Sequence, residues 1–64
     1  MTVTNAYGTT INFEAAIELM DDEIREQLHA EGIESQQAFF DAYEAAHLAK
    51  FGEAWLLSEP NPQY

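Results

Sequence analysis

TTINFEAAIELMDDEIREQL, residues 9–28, changes its hydrophobic period at Asn12. Before Asn12 the chain alternates: Val3 and Ile11 are apolar among Thr2, Thr4, Thr9 and Thr10, and Asn5-Ala6-Tyr7-Gly8 supplies turn residues. That pattern predicts a hairpin with strands near 2–5 and 9–12. After Asn12, Phe13, Ala16, Ile17 and Met20 recur at helical spacing, and Asn12 is placed to cap the helix they define. Asp21 then offers a second cap, with Ile24 and Leu28 turned inward and Asp22 and Glu23 at the positive helix pole. Gly32 ends that helix.

Outward from this stretch the pattern continues in the same vocabulary. Ser35 caps a third helix with an aromatic face of Phe39, Phe40, Tyr43, His47 and Phe51; Lys50 lies in its last turn and Gly52 closes it. Glu53-Ala54-Trp55-Leu56-Leu57 reads as a short strand, and Ser58 to Tyr64, with Pro60 and Pro62, as an extended tail. The expected fold is therefore α+β, in the order β-β-α-α-α-β. A small three-stranded antiparallel sheet, made by the N-terminal hairpin and the C-terminal strand, packs on three helices. One compact domain over 1–58 and a tail over 59–64 account for the chain. Phe13, Ile17, Met20, Ile24, Leu28, Phe40, Tyr43 and Leu56 are expected in its core.

With 64 residues and no cysteine, the chain must be held by apolar packing without disulfides, and its core is small. An apolar fraction of 47% is high enough to build that core and argues against disorder. No apolar run approaches the length of about 18 residues that a membrane span requires. Met1-Thr2-Val3-Thr4 has neither the basic start nor the apolar stretch of a signal peptide, so a soluble intracellular protein is expected.

Charge is the outlier. The chain has twelve acidic residues against two basic ones, a formal net charge of −10, whereas a small domain ordinarily carries roughly 2 to 8 charges in magnitude. Such a field repels nucleic acid and anionic membranes and attracts basic protein surfaces; it also disfavours self-association, so a monomer is expected. Glu14, Glu18, Asp22 and Glu26 stand at i, i+4 intervals. On a continuous helix they form a ridge with neighbours about 6 Å apart, a spacing similar to that of phosphates along a nucleic-acid strand. Asp21 and Glu23 add to the same surface, although a helix break at Asp21 would bend the ridge. A solvated helix face explains why such positions are polar but not why nearly all share one sign.

Residues with catalytic or ligating chemistry are sparse. Glu44-Ala45-Ala46-His47 has the Glu-x-x-His spacing of di-metal bundles, but such a site needs a second copy and further carboxylates on facing helices. His29 and Glu31 do not complete a ligand set, and His47 beside the aromatic face reads as a packed histidine. The glycines are isolated turn or cap residues and form no phosphate loop. No metal, no cofactor and no catalysis are expected. Trp55 reads as packed beneath the tail; the alternative is an exposed aromatic anchor.

The stretches INFEAAIELMDDEIREQLHAE and AFFDAYEAAHLAKFGEAW, with the closing NPQY, resemble small acidic proteins of phages and other mobile elements. Among these the chain is similar to the type I-C anti-CRISPR inhibitors. The resemblance implies a protein in the cytoplasm of a host bacterial cell that binds a CRISPR effector complex and blocks its contact with target DNA. It carries over no individual residues. The acidic surface of Glu14, Glu18, Asp21, Asp22, Glu23 and Glu26 is inferred from charge and spacing. The partner expected for it is a protein with a basic nucleic-acid-binding surface, not nucleic acid itself. The alternative function is an adaptor or antitoxin-like module docking through an apolar patch around Trp55, Tyr7 and the tail.

Overall fold

In the computed structural model, which describes residues 1–60, the hairpin consists of β1 (Thr2–Thr4) and β2 (Thr10–Asn12). They pair antiparallel with Val3 opposite Ile11. Alternation puts these two side chains inward and the flanking threonines outward. Gly8 closes the turn with φ 79°, a left-handed conformation that glycine reaches without steric cost. The Gly8 N–H donates to the Asn5 carbonyl.

The helix starts follow the expected caps. Asn12 accepts from the Ala15 N–H and opens α1 (Phe13–Glu18). Asp21 accepts from the Ile24 N–H and opens α2 (Asp22–Ala30). Ser35 accepts from the Ala38 N–H and opens α3 (Gln36–Phe51), which ends at Gly52 with φ 74°. The break between α1 and α2 is fixed from outside: the Asp21 N–H donates to the Tyr43 hydroxyl of α3 at 2.7 Å. Met20, in the break, is buried.

The inner face of the hairpin and the three helices enclose one apolar cluster. Phe13, Met20, Ile24, Leu28, Phe40 and Tyr43 are buried as expected, and Val3, Ile11, Ala16 and Phe39 join them. Ile17 is half-buried at the margin. Trp55 is packed, its ring centroid 4.4 Å from that of Tyr43 and 5.5 Å from that of Phe40.

Residues 53–57 do not form the expected third strand. Among the described residues the sheet has two strands, and Leu56–Ser58 form a short 3-10 turn, with the Ser58 N–H bonded to the Trp55 carbonyl. Within this segment Leu57 is fully buried and Leu56 is exposed, the reverse of the expectation for Leu56. Two side chains explain the difference. Gln37 of α3 accepts from the Thr4 N–H at 2.9 Å and donates to the Thr4 carbonyl at 2.7 Å, so it occupies the β1 edge where a third strand would pair. The buried Asn5 amide donates to the carbonyls of Leu57 and Glu59, taking backbone acceptors from the returning chain. Residues 61–64 of the expected tail lie outside the described residues.

Candidate protein-binding surface

The helix break divides the acidic ridge. Glu14 and Glu18 project from α1, while Asp22, Glu23 and Glu26 project from α2. All five are exposed. Within each helix the i, i+4 pairs remain neighbours, Glu14 with Glu18 and Asp22 with Glu26. The surface is thus two acidic patches joined through Asp21, not one straight ridge.

Asp21 differs from the other five. It is half-buried, caps α2, and receives the Lys50 ammonium at 2.8 Å. The hydrogen bond from Lys50, followed by that from the Ile24 N–H, holds the Asp21 carboxyl below the ordinary carboxylate range. The same bond to Asp21 raises the Lys50 ammonium. Lys50 also reaches Glu23 at 3.4 Å and lies over the Phe51 ring, 5.3 Å from its centroid. Arg25 pairs with Asp22 at 3.0 Å.

Both basic side chains of the protein are therefore committed to the start of α2. The Arg25 pair was readable from its i, i+3 spacing; the Lys50 pairs are tertiary and left no local signal. Among the described residues, no ion pair reaches Glu14, Glu18 or Glu26. Every carboxylate apart from Asp21 and Glu44 is exposed. Burial raises the Glu44 carboxyl, and the nearby Asp41 charge raises it further.

The apolar candidates are rearranged. Burial of Trp55 removes the centre of the patch expected around Trp55, Tyr7 and the tail, although Tyr7 is exposed at the hairpin turn. His47 packs against Tyr43, Phe51 and Trp55, and its Nδ1 lies 3.1 Å from the Glu53 carbonyl oxygen. Among the described residues no group of three or more His, Asp or Glu side chains is arranged to hold a metal ion. No helix among them is long and apolar enough to cross a membrane.

A cavity of about 180 Å3, open to solvent, lies between the start of α1, the end of α2 and the loop into α3. Phe13, Ile33 and Phe39 form its apolar walls, and His29 and Glu34 also line it. The Phe39 ring is 4.8 Å from that of His29 and meets Phe13 edge-on at 5.9 Å. The sequence pattern did not reveal this cavity, because its walls come from three separate elements.

No curated protein matches the chain. The family model for anti-CRISPR protein AcrIC5 matches residues 4–55, a span that runs from the end of β1 through all three helices to Trp55. With most of its length matched, the chain belongs to the AcrIC5 family of type I-C anti-CRISPR proteins and is an anti-CRISPR inhibitor.

Proposed function

We propose that the protein inhibits without catalysis, as a monomer inside the bacterial cell, by occupying a basic nucleic-acid-binding surface of a CRISPR effector complex. The acidic face of Glu14, Glu18, Asp22, Glu23 and Glu26, with Asp21 at its junction, stands in for target DNA and blocks its binding. One observation carries this reading: both basic side chains pair at the start of α2, and among the described residues no ion pair reaches the exposed Glu14, Glu18 and Glu26. On a merely solvated surface, cations scattered among those positions would relieve like-charge repulsion of about 0.2–0.5 kcal/mol per i, i+4 pair. A surface that meets Lys and Arg of a partner is served by their absence.

The test is charge reversal. Glu18→Lys and Glu26→Lys should leave thermal stability unchanged or slightly raised, since each relieves repulsion within its helix. Each should also set a cation against the partner's own and weaken binding to a purified type I-C effector complex by several kcal/mol. Parent binding should fall with added salt and compete with target DNA. Unchanged binding by both variants, with no salt dependence in the parent, would refute an acidic interface and direct attention to apolar contacts.

A further inference from the structure

We infer that the cavity walled by Phe13, Ile33 and Phe39 receives an arginine side chain of the protein partner, with Glu34 as its counter-charge. This rests on the acidic-surface reading and names the kind of side chain that the surface grips. The volume of about 180 Å3 decides the class of occupant first, since cofactor and small-molecule sites run from about 300 Å3 upward. One side chain fits. The walls then select its character: an apolar stem to cover the edges of Phe13, Ile33 and Phe39, a planar group able to lie on the exposed His29 ring, and a charged end for Glu34. Lysine and arginine both carry an apolar stem, but the guanidinium is planar, weakly hydrated and stacks on aromatic faces.

The fields of the two helix ends do not decide the sign. The positive pole of α3 at Ser35 opposes a cation, and the negative pole of α2 at Glu31 favours one. Each pole amounts to roughly half a charge, so the two offset in large part. The full charge of Glu34 remains, and no ion pair among the described residues neutralises it. Neither Arg25 nor Lys50 lines the cavity. It is an acceptor for a basic side chain in a protein whose own basic side chains are used elsewhere.

Two measurements test this. In the first, the isotopically labelled protein is titrated by NMR with doubly blocked arginine, and separately with its uncharged isostere, blocked citrulline. Saturable shifts should appear at Ile33, Phe39 and His29, with citrulline binding weaker by about two- to fivefold, the size of an exposed ion pair. Glu34→Gln should bring arginine down to the citrulline level. In the second, Ile33→Trp fills the cavity and Glu34→Gln removes its charge, and both are assayed for binding to the type I-C effector complex after a melt confirms folding. Both should weaken it. Equal binding of arginine and citrulline, or shifts spread over all exposed carboxylates, overturns the proposal. Full effector binding by both variants, while Glu18→Lys abolishes it, also overturns it and leaves the acidic face standing. If the parent binds no effector complex, the acidic-surface reading falls, and the cavity's preference for arginine is decided by the titration alone.

Discussion

Asn5 is the buried polar side chain on which the ends of the described chain converge, and its replacement has a calculable effect. Its Nδ2 donates to the Leu57 carbonyl at 3.0 Å and the Glu59 carbonyl at 2.7 Å. Its Oδ1 accepts from the N–H groups of Tyr7 at 2.9 Å and Thr9 at 3.1 Å. Asn5→Ala removes all of these contacts. The Tyr7 and Thr9 groups lie at an exposed turn where water can replace the lost partner, but the Leu57 carbonyl is left in the core. At about 0.5–1.5 kcal/mol for each net hydrogen bond, and more for a buried group left unpaired, the loss comes to about 2–4 kcal/mol. A core this small rarely supplies more than about 3–5 kcal/mol, so the variant should keep only about 1 kcal/mol and unfold at a much lower urea concentration than the parent.

Asn5→Asp separates the lost donor from the lost shape. The introduced carboxyl keeps the acceptor for Tyr7 and Thr9 but turns an oxygen toward two carbonyl oxygens. Its ionised form is disfavoured in the folded state, so its folded pKa is raised above the ordinary value of about 3.9. Stability relative to the parent is then highest below that ordinary value and falls as pH rises through the folded pKa. Urea melts followed by Trp55 fluorescence, run on parent and both variants across the acid range, measure each quantity. Asn5→Ala within about 0.5 kcal/mol of the parent, the level of an ordinary surface change, would refute the reasoning. So would an Asn5→Asp deficit that does not vary with pH.

Other outcomes follow from the same geometry. Phe40→Ala empties a fully buried site and should cost about 3–5 kcal/mol in a chemical melt, enough to unfold most of the protein. Tyr43→Phe removes the acceptor for the Asp21 N–H and should cost about 0.5–1.5 kcal/mol. Burial raises the Tyr43 hydroxyl above 10.0, so its contribution is intact below the unfolded pKa and is lost as pH rises through the folded one. The alkaline fall in parent stability should therefore be shallower in Tyr43→Phe. Lys50→Met should lower the melting temperature at neutral pH. Because the Asp21 carboxyl is lowered, the stability it contributes is present above its unfolded pKa and lost as pH falls, so parent and variant should converge in acid.

Local chemistry made most of the elements legible. Asn12, Asp21 and Ser35 each cap the helix that follows, and Gly52 stops α3, because capping is decided within a few residues. Residues 53–57 failed for the opposite reason. Alternation does place Trp55 and Leu57 inward, as in a strand, but a strand also needs a free edge, and Gln37 fills that edge from a helix 33 residues away. Asn5 looked like a turn residue; its grip on Leu57 spans 52 residues and leaves no pattern in the sequence. The acidic positions are legible from composition and spacing alone, and five of the six are exposed. Asp21 was legible as a cap, but its bond to Lys50 depends on how α3 crosses α2.

The placement of the two cations ties stability to function. The start of α2 is where acidic side chains are densest in sequence, with Asp21 capping the helix at the break and Asp22 and Glu23 in its first turn. Arg25 and Lys50 are placed there, and among the described residues no ion pair reaches the rest of the acidic surface. Salt should then act on the protein in opposite senses. Screening over about 10 Å at 0.1 M weakens repulsion among exposed carboxylates and raises the melting temperature. The same screening weakens attraction to a basic partner and lowers affinity. A charge present only for solubility links salt to stability and to nothing else. Melting temperature and effector affinity, measured across one salt series, should have slopes of opposite sign. In Glu18→Lys the affinity slope should flatten most, while in Ile33→Trp it should flatten less at a weaker overall affinity, because that variant keeps every carboxylate and loses only the pairing of one arginine with Glu34.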